Sequence, residues 1–278
     1  MSRKLIFAHL AILGANIIYG LNYVIAKDIM PDYLEPRAII FLRVAGASAV
    51  FWLVSVFGFG EKVARKDLIR LGLISFLGVG LNQIMFFEGL NLTTPINASV
   101  IMVGIPILVL VFSHFFIGDR LTSNKLIGIL LGFLGAAYLI FQSGPISFKS
   151  DTFVGNLFIF INATAYSLYL VLVKPLMVKY HPLTIMKWVF LFGLFYITPF
   201  TINLALTSDY SVIPLSIWLS IGFVIIFTTI FAYFLNNYSL KTISPTINSA
   251  YIFLQPVVAS LVALIFAKDH LSIHTIIS

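Results

Sequence analysis

Several stretches of the sequence contain no Asp, Glu, Lys or Arg, and five of them are 21 to 26 residues long. They cover residues 5–26, 126–148, 152–173, 188–208 and 242–267. A helix that rises about 1.5 Å per residue needs about 20 apolar residues to cross the hydrocarbon core of a bilayer. Each stretch is therefore predicted to be one membrane span, which constrains the chain to an integral membrane fold.

The composition supports this prediction because the chain carries very few charges. Its 278 residues include 17 Lys and Arg and 10 Asp and Glu, so 10% are charged, against about 25% in an ordinary soluble domain. The same figures exclude disordered, coiled-coil and collagen-like chains. The absence of cysteine excludes disulfides and thiolate metal sites. The net charge of +7 is expected to lie in loops beside anionic lipid, so no nucleic-acid partner is predicted.

Two longer segments must each fold back within the membrane. Residues 71–118 contain one charge, Glu88, and residues 210–267 contain one, Lys241. Proline disfavours helical geometry in the residue before it and is tolerated at a helix start, so breaks are predicted just before Pro95 and Pro245. The chain then has nine predicted spans, numbered in chain order: 5–27, 36–58, 69–90, 95–117, 125–142, 152–174, 183–206, 214–238 and 245–267.

Basic residues are distributed unequally between the two sides of these spans. With a cytoplasmic N-terminus, twelve Lys and Arg lie on the cytoplasmic side, four lie on the other side, and Arg43 lies within span 2. Cytoplasmic loops of membrane proteins carry an excess of Lys and Arg. We therefore expect a cytoplasmic N-terminus and a location in the cell membrane. The four basic residues on the outer side are Lys27, Arg37, Lys149 and Lys268.

The second half of the sequence repeats the first at a nearly fixed offset. Near the start of each copy the offset is 147, which pairs Tyr19 with Tyr166 and Lys27 with Lys174. This match predicts two five-span repeats, residues 1–142 and 152–278, joined by a linker over 143–151. Because five is odd, the second repeat enters the membrane from the opposite side, as in the inverted repeats of many secondary transporters. Later in each copy the offset is 150, and Leu90, Pro95, Ser99, Pro106, Asp119 and Leu121 match Leu240, Pro245, Ser249, Pro256, Asp269 and Leu271.

Several short motifs recur in a fixed order along both copies. The first copy has Tyr19-Gly20 with Lys27, Arg43, GLNLTTPINAS before Pro106, and Gly118-Asp119-Arg120-Leu121 before Gly128. The second copy has Ser239-Leu240, Pro245, Pro256 and Asp269-His270-Leu271. In this order the chain resembles the EamA-type transporters of the drug/metabolite transporter superfamily. The resemblance implies an all-α integral membrane fold of two inverted five-helix bundles, and the export of amino acids or related metabolites.

A tenth span begins near Leu271 and is incomplete at Ser278. Members of the family usually have Glu at the positions of Asp119 and Asp269, and they have a complete tenth helix. By the offset of 150, the counterpart of span 5 would continue about 14 residues past Ser278 and so reach the roughly 20 residues that a crossing needs. We therefore expect the natural chain to continue to about residue 290.

Two spans that the repeat relates to each other carry a stripe of polar and aromatic residues. Side chains at spacings of three and four share one face of a helix. Such stripes suit the lining of a substrate cavity, although tyrosines at the membrane interface and asparagines between helices would also produce them. The stripe of span 1 is Asn16, Tyr19 and Tyr23, and that of span 6 is Asn162, Tyr166 and Tyr169.

Arg43 lies a few residues inside span 2, and Glu88 lies near the outer end of span 3. Arg43 could pair with a carboxylate, hold the carboxylate of a substrate, or extend toward the interface. Glu88 is the only carboxylate inside a predicted span, which makes it the candidate for proton coupling, although at a helix end it could simply be hydrated. Side-chain amides in other spans suit the binding of a zwitterion, and they suit contacts between helices equally well. These amides are Gln83, Asn97, Asn237, Asn248 and Gln255.

The predicted function is secondary transport. Aromatic and amide side chains without a dense cluster of charges favour a neutral or zwitterionic solute over a phosphate, which would require several Lys or Arg. We expect a small-molecule substrate that is moved by alternating access in a lipid bilayer, with protons as the candidate coupling ion. No cofactor or metal is expected. The sequence does not determine the oligomeric state, and a monomer is compatible with it. A receptor or channel-like protein is the alternative. A membrane enzyme is less favoured because no H-E-x-x-H, G-x-S-x-G or Walker motif occurs.

Overall fold

The structure is a computed structural model that describes residues 3–57, 61–93, 95–142 and 150–258. Within these ranges the chain is helical and contains no strand. Seven helices are long and apolar enough to cross a membrane, and they correspond to spans 1, 2, 3, 4, 6, 7 and 8. Span 5 is a helix of 20 residues, and span 9 is described for its first part. The prediction of an all-α integral membrane protein is confirmed.

The described helices follow the predicted order. Spans 1 to 4 are Arg3–Ile29, Pro36–Val56, Arg65–Leu92, and the pair Pro95–Val103 and Ile105–Ile117. Spans 5 to 8 are Ser123–Gln142, Ser150–Lys179, Pro182–Thr207 and Leu215–Thr242. Span 9 begins with Pro245–Ala250, followed by a 3-10 turn over Tyr251–Phe253.

The two predicted breaks lie where proline indicated them. Span 3 ends at Leu92 and span 4 begins at Pro95, while span 8 ends at Thr242 and span 9 begins at Pro245. At the second break, the backbone N–H of Ile247 donates to the Ser244 hydroxyl at 3.3 Å. This bond satisfies one of the free N–H groups that every helix start leaves.

Spans 4 and 9 are interrupted, although the sequence predicted one continuous helix for each. Span 4 has a turn at Gly104, and span 9 has its 3-10 turn over Tyr251–Phe253. The repeat-related Pro106 and Pro256 follow these interruptions. Proline has no N–H to donate to the carbonyl four residues earlier, and its ring clashes with that carbonyl. The same residue type therefore interrupts the equivalent span of each repeat.

Spans 3 and 8 each contain a π-helical segment that the sequence did not predict. The first covers Phe76–Leu81 and the second covers Val224–Phe231. They start 148 residues apart and end 150 apart, so they occupy equivalent positions in the two repeats. Segments of π-helix are rare and occur often at functional sites.

The inverted repeat is visible in which spans pack together. Spans 2 and 7 pack along each other, span 3 packs on span 6, and span 8 packs on span 1. Two glycines separated by the offset of 147 serve the same purpose in both repeats. A Cβ on Gly46 would lie 3.1 Å from Ile225, and one on Gly193 would lie 2.4 Å from Val79. Each glycine therefore lets its span approach the π-helical segment of the other repeat closely.

Large apolar side chains cover the outside of the helices. An apolar exterior of this kind suits lipid rather than water. Span 6 begins at Ser150, inside the predicted linker, and residues 143–149 and 259–278 lie outside the described part of the chain, as does the expected tenth span. Among the most exposed apolar side chains are Phe115, Leu206, Leu215, Phe195 and Leu219.

Candidate substrate cavity

A cavity of about 80 Å³ lies between the two repeats. Its lining residues lie near the middle of their spans, such as Asn162 in span 6 and Thr228 in span 8. Each repeat supplies five polar residues to its wall. The first repeat supplies Tyr19, Asn22, Arg43, Asn82 and Gln83. The second supplies Asn162, Tyr166, Thr228, Tyr233 and Gln255.

Arg43 is the cation of this cavity and is only 3% exposed. Its Nε donates to the Thr229 hydroxyl at 2.8 Å, and its guanidinium carbon lies 4.8 Å from the centre of the Phe87 ring. A charge at this depth costs about 2.5–3.5 kcal/mol or more unless it is partnered. Among the described residues, the ion pairs are Arg37–Glu88, Lys125–Asp119 and Lys179–Asp67, and none of them includes Arg43.

Gln83 and Tyr233 meet across the cavity. The Gln83 side-chain amide donates to the Tyr233 hydroxyl and, at 3.0 Å, to the Asn82 side-chain oxygen. Gln83 and Tyr233 are 150 residues apart, so each occupies the position of the other in the opposite repeat. They therefore lie on the pseudo-two-fold axis that relates the repeats. The Tyr19 ring packs edge-on against Tyr233, with 6.2 Å between the ring centres.

Four buried polar atoms in the cavity wall have no hydrogen-bond partner among the described residues. They are the Tyr19 hydroxyl, the side-chain oxygens of Asn22 and Asn162, and the Thr228 hydroxyl. The orientation of Asn162 is fixed because its NH₂ group donates to the Asn82 carbonyl at 2.8 Å, which leaves its oxygen free. Unpartnered buried polar atoms are costly, so these atoms favour a polar solute or water inside the cavity.

A second layer of amides and tyrosines holds the lining residues in place. The Tyr169 hydroxyl donates to Asn237 at 2.9 Å, and Asn236 donates to the Tyr166 hydroxyl at 3.1 Å. The Gln255 amide donates to the Asn16 oxygen at 2.8 Å. Through these bonds, the polar residues of one span orient those of another.

The structure separates the sequence-predicted site residues into groups. Six of them line the cavity: Tyr19, Arg43, Gln83, Asn162, Tyr166 and Gln255. Four others are buried behind the lining: Asn16, Tyr169, Asn237 and Asn248. The side chains of Tyr23 and Asn97 lie outside the described part of the chain.

Glu88 lies apart from the cavity lining. Its carboxylate is ion-paired with Arg37. Arg37 is the second residue of span 2 and Glu88 lies near the end of span 3, so this pair joins two span ends. A role of Glu88 in proton coupling stays a prediction.

The analysis of the sequence missed four polar lining residues, which are Asn22, Asn82, Thr228 and Tyr233. Asn22 lies three residues after Tyr19 and therefore shares its helix face. Tyr233 lies 150 residues after Gln83, so the repeat offset itself indicated it. Thr228 gave no signal in the sequence, because it reaches the cavity through the π-helical segment of span 8.

The remaining wall of the cavity is apolar. Phe86, Met102, Ile105 and Ile252 form it. The cavity thus combines a cation, unpartnered hydrogen-bonding oxygens and an apolar surface. No group of three His, Cys, Asp or Glu side chains that could hold a metal ion occurs among the described residues. The arrangement is suited to reversible, non-covalent binding of a small polar or amphipathic molecule.

An all-helical membrane fold of two inverted repeats around a central polar cavity is the architecture of a membrane transporter. The profile of the EamA-like transporter family matches residues 6–141 and 153–278, and the chain therefore belongs to this family of the drug/metabolite transporter superfamily.

Two relatives of the chain are described as transporters. The uncharacterized transporter YyaM of Bacillus subtilis (strain 168) is 26% identical over 92% of this chain and 84% of its own length. An uncharacterized transporter of Archaeoglobus fulgidus is 28% identical over 88% of this chain and 84% of its own length. A solved crystal structure is similar in fold, with a TM-score of 0.76, 18% identity, and coverage of 97% of this chain and 91% of that one.

Proposed function

We propose that this transporter exports small zwitterionic metabolites, foremost amino acids, by alternating access through the cavity between its two repeats. The observation that carries the proposal is that one cavity holds both a cation without an anionic partner and an acceptor oxygen without a donor in the described part of the chain. Arg43 has no carboxylate partner among the described residues, and the Asn162 oxygen has no donor. A zwitterion would satisfy both.

The carboxylate of the substrate would bind the guanidinium of Arg43. The only hydrogen bond of Arg43 with a described residue uses Nε, so its two terminal NH₂ groups remain for the cavity. Arginine binds a carboxylate through two parallel N–H bonds, which are among the stronger hydrogen bonds in proteins. One cation also argues against a phosphate, which would require more positive charge.

The ammonium group of the substrate would bind the free oxygens of Asn22 and Asn162. Both oxygens are buried acceptors in the cavity wall. An ammonium has three donors and no acceptor, so acceptor oxygens without a carboxylate can hold it. Tyrosine rings in the same wall add cation–π attraction. An apolar substrate side chain would then contact the wall of Phe86, Met102, Ile105 and Ile252.

Alternating access is supported by the repeat itself. Two inverted halves around one site can rock against each other and expose that site to either side in turn. The Lys and Arg distribution supports a cytoplasmic N-terminus in the cell membrane. Thiol labelling of Asp209→Cys from outside the cell tests this orientation, since the chain has no cysteine of its own. Labelling only from the cytoplasm would overturn it. The direction of transport, export, rests on the family resemblance.

Uptake into proteoliposomes tests the substrate class. The panel is L-leucine, 3-methylbutylamine, which lacks the carboxylate, and 4-methylpentanoate, which lacks the ammonium. We expect saturable leucine uptake and counterflow exchange with internal leucine. Each analogue that lacks one charged group should compete with labelled leucine at least about tenfold more weakly than unlabelled leucine does. Equal competition by an analogue would overturn the zwitterion proposal. Leucine flux without saturation or counterflow would indicate a channel-like protein instead.

A further inference from the structure

The Thr229 hydroxyl connects the cation of the cavity to the backbone of span 8. It accepts from Arg43 Nε at 2.8 Å and donates to the Val224 carbonyl at 2.7 Å. Val224 is five residues earlier and begins the π-helical segment Val224–Phe231. The Thr229 side chain is 1% exposed, so neither bond competes with bulk water.

Span 2 holds the same segment at a second point. Gly46 lies three residues after Arg43, on the same face of span 2, and an added Cβ there would lie 3.1 Å from the Ile225 side chain. The polar contact at Thr229 and the steric contact at Ile225 both lie within the π-helical segment. Span 2 therefore contacts this segment at two points, one polar and one steric.

The equivalent contact is absent from the other half. By the repeat offsets of 147 and 150, the counterpart of Arg43 is Phe190 in span 7 and the counterpart of Thr229 is Val79 in span 3. A steric contact is kept but falls on a different position, since Gly193 of span 7 packs on Val79, the counterpart of Thr229 rather than of Ile225. No hydrogen bond can join Phe190 to Val79 through their side chains. The polar connection thus exists in one half only.

We propose that Thr229 couples substrate binding to the movement of span 8. A carboxylate that binds the terminal NH₂ groups of Arg43 shifts its guanidinium, and the Nε bond carries this shift to Thr229 and the Val224 carbonyl. In a π-helix each backbone carbonyl accepts a hydrogen bond from the N–H five residues later. When the carbonyls bond instead to the N–H four residues later, the segment becomes α-helical, and its length and rotation change. Thr229 is a positioning residue in this scheme, and the inference rests on the proposed zwitterion substrate.

Thr229→Val tests the coupling because it removes the hydroxyl and keeps the branched shape. We expect the leucine Kd of the purified protein to stay within about threefold of wild type while the turnover of leucine uptake falls about tenfold or more. Thr229→Ser restores the hydroxyl and should restore turnover. Thr201→Val is the matched control, because Thr201 is a buried threonine of span 7 whose hydroxyl, among the described residues, bonds only the Ile197 carbonyl of its own helix.

The outcomes separate the two proposals. Wild-type protein that neither binds nor transports leucine overturns the proposed substrate and this inference with it. Suppose that the wild type binds and transports leucine. If Thr229→Val then weakens leucine binding and turnover to the same extent, or changes neither, the inference alone is overturned. Failure of Thr229→Ser to recover turnover, or the same fall in turnover in Thr201→Val, also overturns it. Should Thr229→Val not fold, Thr229→Ala takes its place, and loss of fold in both variants assigns Thr229 a structural role and overturns the coupling.

Discussion

The two repeats have the same architecture and contribute different chemistry. Both contain a π-helical segment, a proline-interrupted span and a glycine that packs on the opposite repeat. At equivalent positions, however, Arg43 faces the cavity in the first repeat, while Phe190 packs against Tyr233 in the second, with 5.3 Å between the ring centres. The shared features are those that the fold needs, and the differing ones lie at the cavity.

This difference makes the two halves of the cavity wall chemically unequal. A symmetric cavity would carry two cations or none, and it would hold a zwitterion equally well in two orientations. With the cation on span 2 only, the carboxylate of the proposed substrate would have one favoured position. Under the proposed alternating access, the inverted repeat would supply the movement and the departures from it would supply recognition.

The largest expected effect comes from removing the cation that distinguishes the two repeats at this position. Arg43→Met removes the cation and keeps much of its volume. We expect leucine affinity to fall by about 2–5 kcal/mol, which is about 30-fold or more, because a charge partner is lost. Thermal stability should hold or rise, since a buried charge replaced by an apolar side chain is often neutral or stabilising. Binding titrations and thermal unfolding in detergent measure both.

Phe190→Met is the matched control in the second repeat. It should lower the free energy of unfolding by about 1 kcal/mol, through looser packing against Phe51 and Tyr233, and leave leucine affinity near wild type. A loss of affinity as large as that of Arg43→Met would show that the two halves do not divide recognition and packing in this way.

A second asymmetry concerns Glu88, whose counterpart at the offset of 150 is Tyr238. If Glu88 takes up a proton during transport, its ion pair with Arg37 must open in the cycle. Glu88→Gln should then abolish leucine accumulation driven by a pH gradient while leucine exchange continues, because exchange needs no net proton movement. Flux measured with and without the gradient checks this. Gradient-driven accumulation at the wild-type level would remove Glu88 as the coupling residue.

The last comparison concerns the two packing glycines. Gly193→Ala places a methyl group 2.4 Å from Val79, whereas Gly46→Ala meets Ile225 at 3.1 Å. Gly193→Ala should therefore lower stability by about 1–3 kcal/mol, and Gly46→Ala by less. Thermal unfolding compares them with Gly222→Ala, where a Cβ meets nothing within 4 Å. Equal shifts for Gly193→Ala and Gly46→Ala would contradict the asymmetric fit of the two π-helical segments.

Much of the fold could be predicted because the bilayer imposes simple constraints. Charge-free length indicated the spans, and Pro95 and Pro245 indicated the breaks, since each rule acts through adjacent residues. The π-helical segments could not be predicted in this way. Gly78 within the first segment packs against Tyr169 of span 6, with 2.2 Å between an added Cβ and the ring, and such a contact depends on tertiary packing rather than on local sequence.

The candidate site was predictable where polarity within a span is rare. Arg43, Gln83 and Asn162 were found because a polar group in a bilayer is costly and so requires a reason. Thr228 and Thr229 were not found, because threonine commonly bonds the backbone of its own helix and carries little cost. The sequence also could not distinguish lining residues from their supports, as Tyr169 and Asn237 show by bonding to each other behind the cavity.

The hydrogen bond between Gln83 and Tyr233 has a consequence for how such a molecule can vary. In a symmetric pair of separate, identical chains, a residue on the two-fold axis meets its own copy, so only a self-complementary residue can stand there. Covalent joining of the two copies removes this restriction, because each side of the axis is then encoded separately. A glutamine can face a tyrosine, and one side can change while the other is kept. A chain that contains both repeats can therefore place two different residues in contact on the axis, which a homodimer of single repeats cannot do.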